Sequence, residues 1–258
     1  MKSLPGHRSW APPALLIAAF LVIWELAVRL SNTPRWLLPA PSEVLQAFVD
    51  DRDVLLPNAL VTLSEVLVGF ACAVMFGFGL GIAVYRSQTL SRVLYPLIIA
   101  SQTIPIPALA PLLLVWFGTG LLPKVIVTAL VGFFPIVVST VEGLHATDRE
   151  VVNLLRAFGA SRETVFRLAE FPSCLPFIFA GARIAVAISV IGAVFGELVG
   201  ASAGLGYLMT RAMAQFETPR LVAAIVLLSL MGTGLFAAVG VVERLVLPWR
   251  KYGTVNRA

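Results

Sequence analysis

Few side chains in this 258-residue sequence are equipped for chemistry. The two histidines, His7 and His145, lie far apart without ligand-like spacing, so no metal site is predicted. Cys72 and Cys174 sit in or beside apolar segments, which argues against a disulfide framework. No cluster of His, Asp or Cys gathers near one end of the apolar segments, as a membrane-embedded enzyme would need, and no catalytic residue is assigned. The glycines of "GFGLG" (77–81) match a nucleotide loop only in composition, because no strand precedes them and the run around them is apolar. The phosphate-loop pattern G-x-x-x-x-G-K-[ST] is absent, so any ATP must be bound by another chain. What is left is binding chemistry. The most polar long stretch, "NLLRAFGASRETVFRLAEFPSCLP" (153–176), carries Arg156, Arg162, Glu163, Arg167 and Glu170 between apolar neighbours. Glu197 is a carboxylate inside an apolar run, where it costs about 2.5–3.5 kcal/mol at a span centre. It is expected near the outer end of its span, either steadying the turn "GASAGLGY" or serving a gate or substrate path. Gln102 and Thr103 are further substrate-path candidates. They lie in the proline-broken "SQTIPIPALAP", whose freed backbone groups need partners or a wet cavity.

The elements that must position these residues are membrane helices. The chain is 59% hydrophobic and 13% charged, against about 45–50% and about 25% in soluble domains. The length suits a single membrane domain spanning 1–258. A span needs about 20 apolar residues, which gives six candidates near 12–30, 60–85, 93–117, 122–142, 175–200 and 219–247. The fold class is therefore an all-α membrane protein. Lys2 and Arg8 precede an apolar run too long for a signal core, and a retained signal-anchor helix is expected. Assigning loops to alternate sides divides the 19 Lys and Arg residues 13 to 6. Basic residues favour the cytoplasm, which puts both termini and the charged stretch inside. The net charge of +5 is then a membrane signature, and nucleic-acid binding is excluded.

Local patterns fill in the rest. Ser42 is placed to cap a short amphipathic helix with Val44, Leu45 and Phe48 on one face, lying on the outer membrane surface. Glu25 and Arg29, four apart, mark the end of the first span. Gly77 and Gly81, and Gly192, Gly196 and Gly200, repeat at spacing four, which suits close helix packing within the chain or at a dimer interface. Thr147 with Glu150 reads as a capping box. Val151, Leu154, Leu155 and Phe158 follow as an apolar stripe. Gly159 is placed to end that helix in the left-handed conformation. Ser161 can cap a second helix that runs to Phe171 before Pro172. A cytoplasmic helical hairpin with an apolar stripe and flanking arginines is suited to docking on another protein.

This hairpin resembles the "EAA" loop of binding-protein-dependent ABC importer permeases, which reads E-A-A, three residues, Gly, nine residues, I-x-L-P. "NLLRAFG" and "LAEFP" place Gly159 and Pro172 in the matching positions. Asn153 stands where the family prefers Glu, Leu154 and Leu155 where it prefers Ala, and Ala169 where it prefers Ile. "GELVGASAGLGYLM" (196–209) and "PLLLVWFGTG" (111–120) are also similar to the family, closest to its taurine, nitrate, sulfonate and pyrimidine/riboflavin branch. The resemblance implies a type I importer permease fold in the bacterial inner membrane, with a coupling loop at about 145–172. Within it, Val151, Asn153, Leu154, Leu155, Arg156, Ala157, Phe158 and Gly159 would meet the ATPase. It further implies a homodimer, two ATPase subunits holding ATP and Mg, no cofactor in this chain, and a substrate-binding protein outside. The alternative is a stand-alone secondary transporter or channel, which would predict paired half-repeats and midplane ionisable relays; neither is evident in the sequence.

Overall fold

The computed structural model describes residues 11–248. Lys2, His7, Arg8 and the basic residues after Trp249 lie outside the described residues. The described chain is helical throughout, without a strand: α1 Ala11–Leu30, α2 Pro41–Asp50, α3 Arg52–Arg86, α4 Gln88–Ser101, α5 Ile106–Phe117, α6 Leu121–His145, α7 Arg149–Ala157, α8 Arg162–Val165, a π-helical turn Phe166–Glu170, α9 Phe171–Leu198, α10 Leu205–Ala214 and α11 Thr218–Val246. Five helices are long and apolar enough to cross a membrane, and six if the bent pair α4–α5 counts as one.

Small residues set the register of the bundle. Cβ atoms built on Gly69, Gly77 and Gly81 of α3 would collide with Thr128, Ile136 and Thr140 of α6. The offset between partners is constant at 59 positions, so α3 and α6 run parallel. Parallel neighbours require the intervening chain to return across the layer, and α4–α5 makes that return. α4 packs with Val84 of α3 and with Val137 and Val141 of α6, whereas α5 packs with Val127 nearer the start of α6 and with Val199 just past α9. α9 then runs antiparallel to α6: Gly196 lies against Lys124, Gly192 against Thr128, and Gly181 against Ser139. α11 returns along α9, with an ion pair between Arg183 and Glu243. The glycine stripes at 77/81 and 192/196 thus face α6 within the chain.

The structure corrects several local readings. α3 begins at Arg52 and the fifth span at Arg162, so both are longer than the apolar core alone suggests. The proline-broken third span is two helices bent by 98° around Gln102–Pro105. α2 starts at Pro41 after Ala40, and its cap is Glu43, which reaches back to the Ala40 N–H at 2.9 Å. Ser42 is not the cap; its hydroxyl and N–H donate to Glu25 (2.9 and 3.0 Å), tying α2 to the end of α1. The inward face of α2 is Val44, Ala47 and Phe48, while Leu45 points outward. Gly200 lies beyond the end of α9 at φ +70°, over Leu114, and does not continue the stripe.

Candidate functional site

The charged stretch becomes a hairpin whose two arms differ. α7 is capped by Asp148, whose side chain accepts from the Glu150 N–H at 2.9 Å. Thr147, expected as the cap, is not used; its hydroxyl is buried without a partner. One residue decides this: the helix opens at Arg149, so Asp148 holds the flanking position where a side-chain oxygen can reach the first free N–H groups. At the other end Gly159 adopts φ +81°. The Gly159 N–H donates to Arg156 O (2.9 Å) and the Ala160 N–H to Leu155 O (3.0 Å), the paired bonds of a Schellman stop. Ser161 caps the second arm through the Thr164 N–H at 3.2 Å.

The second arm is fastened to the bundle. Glu163 pairs with Arg86 at the end of α3 (3.0 Å) and with Arg167 (2.9 Å), and the Arg86 guanidinium lies 4.3 Å from the Phe166 ring centroid. Nor does this arm stop at Phe171. The π turn shifts the backbone bonding at 166–170, the Phe171 N–H reaching back to Phe166 O. Pro172, which has no N–H to give, is thereby accommodated at the start of α9. Residues 162–198 form one continuous rod.

The first arm is different: none of its residues is buried, and its contacts are chiefly with α8. Val151, Leu154 and Phe158 are 44%, 58% and 82% exposed. Asn153, Arg156 and Ala157 are also exposed, and Leu155 is half-buried. An amphipathic helix presenting its apolar stripe outward from the membrane bundle is a ready docking face.

At the opposite end, Glu197 is fully buried, at 1% exposure. Its Oε1 accepts from the Thr62 hydroxyl (2.6 Å) and its Oε2 from the Gly206 N–H (2.6 Å). The Leu205 N–H donates to Thr62 (2.8 Å) and the Gly204 N–H to Asn58 Oδ1 (2.7 Å). A carboxylate and two side-chain oxygens therefore accept from the Gly204, Leu205 and Gly206 N–H groups where α10 opens. Gly204 sits at φ +116° with no room for a Cβ beside the Glu197 carboxyl. This geometry belongs to the turn, not to an open path. Gln102 and Thr103 lie exposed at the α4–α5 break, and Thr103 Oγ1 donates to Ala100 O at 2.7 Å.

Sequence reasoning missed the partners of Glu197. Glu65 of α3 pairs with Lys124 of α6 at 2.6 Å, and both are buried. Arg183 and Glu243 likewise pair across α9 and α11. No local pattern announces residues 59 or 60 positions apart as partners; only the glycine-set register brings them together. Among the described residues no group of three His, Cys, Asp or Glu is arranged to hold a metal.

Comparison with known proteins gives a consistent picture. The family profile described as "Binding-protein-dependent transport system inner membrane component" matches residues 73–248. The formylaminopyrimidine transport permease protein ThiX of Halalkalibacterium halodurans is 41% identical over 93% of this chain and 96% of its own length. The riboflavin transport system permease protein RibX of Chloroflexus aurantiacus is 38% identical over 89% of this chain and 86% of its own. The taurine transport system permease protein TauC of Escherichia coli is 28% identical over 90% and 87%. In fold, a chain of the inward-facing MetNI methionine ABC transporter superposes with a TM-score of 0.66, covering 74% of this chain and 95% of that one at 21% identity.

Proposed function

We propose a coupling role for the exposed hairpin of this chain, which belongs to the family of binding-protein-dependent transport system inner membrane components. The chain is a multi-pass ABC importer permease subunit for small solutes in the inner membrane. It is not itself an enzyme, and ATP is hydrolysed by a separate subunit. In our reading two copies of the permease pair, and each α7 seats in one of two ATPase subunits that bind ATP and Mg. Val151, Leu154 and Phe158 fill the groove, Asn153, Leu155, Arg156 and Ala157 flank them, and Gly159 sets the angle between the arms. The single observation that carries this is the outward apolar face of α7 on an otherwise packed, membrane-apolar bundle. Both termini lie on the hairpin side, in the cytoplasm, and a substrate-binding protein docks on the α10 side. All of 1–258 serves as one membrane domain. Transport proceeds as the ATPase pair pulls on a rigid element that biases a two-state bundle.

For the solute, we favour a small heteroaromatic vitamin precursor of the formylaminopyrimidine or riboflavin kind over a sulfonate, taurine or nitrate. The relatives named for those two solutes are 41% and 38% identical, against 26–30% for the taurine and sulfonate permeases. The groove between α9 and α11 also favours it. It is lined by Val190, Val194, Phe195, Ser229, Thr233 and Phe236, among others, with no charged side chain to meet an anion. Gln102 and Thr103 at the α4–α5 break stay as substrate-path candidates in this reading, whereas Glu197 holds the α10 turn and does not meet the solute.

The test is reconstitution of the permease with its co-purifying ATPase and binding protein in vesicles. ATP-dependent uptake of labelled formylaminopyrimidine or riboflavin, but not taurine, is expected. Uptake that proceeds without an ATPase would identify a stand-alone transporter or channel instead. Preference for taurine would overturn the solute assignment alone.

A further inference from the structure

Three ionisable side chains meet inside the bundle, and their charges do not cancel. Glu65 is 1% exposed, Glu197 1% and Lys124 8%. Lys124 Nζ donates to Glu65 Oε1 at 2.6 Å, and its stem lies on Gly196, the residue before Glu197. Thr62, which donates to Glu197, stands three residues before Glu65 on α3, so both carboxyls face one space. Glu65 Oε2 is buried with no hydrogen-bond donor opposite it.

With both carboxyls ionised, one lysine faces two negative charges in a buried interior. A buried unpaired charge is far more costly than a buried neutral polar group. Two carboxyls that share a site relieve that repulsion by sharing a proton. Among the described residues, the hydrogen-bond and ion-pair partners of the three groups include no further charged side chain. α10 and α9 contribute backbone N–H groups and Glu197, α3 contributes Asn58, Thr62 and Glu65, and α6 contributes Lys124 with Thr128, whose hydroxyl is used on Lys124 O (2.8 Å). Two carboxylates without a third ligating side chain do not make a metal cage among the described residues.

We infer that the Glu65–Glu197–Lys124 cluster binds one proton, held between the two carboxyls. The shared proton supplies the donor that Glu65 Oε2 lacks. It leaves Glu197 free to accept from Thr62 and Gly206, and it makes the cluster neutral overall. The cluster is then a charge-balanced bolt that ties the start of α10 to α3, α6 and α9. This holds independently of the solute and of the ATPase.

The balance dictates how substitutions combine. Glu197→Gln or Glu65→Gln replaces the protonated carboxyl by a neutral isostere and leaves one carboxylate for Lys124. The double change strands Lys124 as a buried unpaired charge, and adding Lys124→Met removes it again. The experiment uses the purified full-length chain in detergent, read by infrared spectroscopy at neutral pH and by thermal melting. Wild type should show a protonated-carboxyl C=O band that shifts in heavy water only slowly, and each single Gln variant should lose it. Glu65→Gln should melt as wild type does, Glu197→Gln should melt somewhat lower because its amide NH2 cannot accept from both Thr62 and Gly206, the double variant should melt lower than either, and the triple should recover relative to the double. Absence of the band in wild type overturns the inference, whatever the variants do. Stabilisation by Na+ relative to choline, without the band, would assign the site to a metal cation instead. Single variants that melt as low as the double would also overturn it.

Discussion

A left-handed backbone at one position decides how the hairpin turns. Gly159 holds φ +81°, with no atom near enough to meet a Cβ, so a substitution there suffers from backbone conformation and not from crowding. Gly159→Val should cost about 1–2 kcal/mol at the stop. The hairpin would relieve that strain by opening its angle. ATP-driven uptake should fall while membrane insertion, followed by fractionation, is unchanged. The packing glycines respond to the opposite physics. A Cβ at Gly192 would lie 2.9 Å from the Thr128 backbone, which cannot yield as a side-chain tip can. Gly192→Leu should therefore lower the yield of folded protein in detergent, by about 1–3 kcal/mol or more of overpacking. Gly79→Ala, with open space around it, should be silent in the same assay. Spacing of four made the stripe at 77/81 and 192/196 legible, but not its partner. The same spacing wrongly included Gly200, because sequence period does not reveal where a helix ends. Glu197 was legible as a costly carboxylate beside a turn. Glu65 and Lys124 were not legible as its companions, since their meeting depends on the register between two helices that the chain visits far apart.

Among the elements, α7 carries the sharpest expectation. Its stripe has no cover of its own, so Leu154→Asp or Phe158→Asp should not disturb the bundle. Either should place an unpaired charge in the proposed docking groove and release the ATPase in a pull-down, with uptake abolished. A retained ATPase would leave α7 as a connector. The second arm is less sensitive. Arg86→Ala removes a pair whose side chains are about half exposed, and such pairs contribute about 0–1 kcal/mol; uptake should fall modestly and insertion should not change. Periodicity, glycine and serine together made the two arms readable. Their joining to the span was not. Pro172 looks like a stop because it removes an N–H and crowds the preceding turn. The π turn over Phe166–Glu170 absorbs that defect, and π turns carry no dependable sequence mark. The cap at Asp148 was missed for a related reason: Thr147 and Asp148 compete as neighbouring capping residues, and one residue of shift selects the winner.

For the molecule as a whole, composition sufficed for the class, while the basic-residue bias supports only a proposed orientation. The parallel pairing of α3 and α6 needed coordinates, because it rests on glycine contacts no composition encodes. That pairing makes α4–α5 a full crossing and yields a topology test. A reporter fused after Ala258 should be active on the cytoplasmic side, and one inserted at Ala203, between α9 and α10, only on the other. Equal activity from both positions would break the proposed arrangement. The continuous rod from Arg162 to Leu198 has a mechanical consequence. Its 37 residues measure about 55 Å at 1.5 Å per residue. One end is the hairpin arm beside α7, and the other is next to Glu197 and the start of α10. Rocked by about 10° about one end, a rod of that length sweeps the other through roughly 10 Å, the width of a helix. On the coupling role proposed above, that rod would be the moment arm, with the π turn near its driven end and the buried cluster at the other.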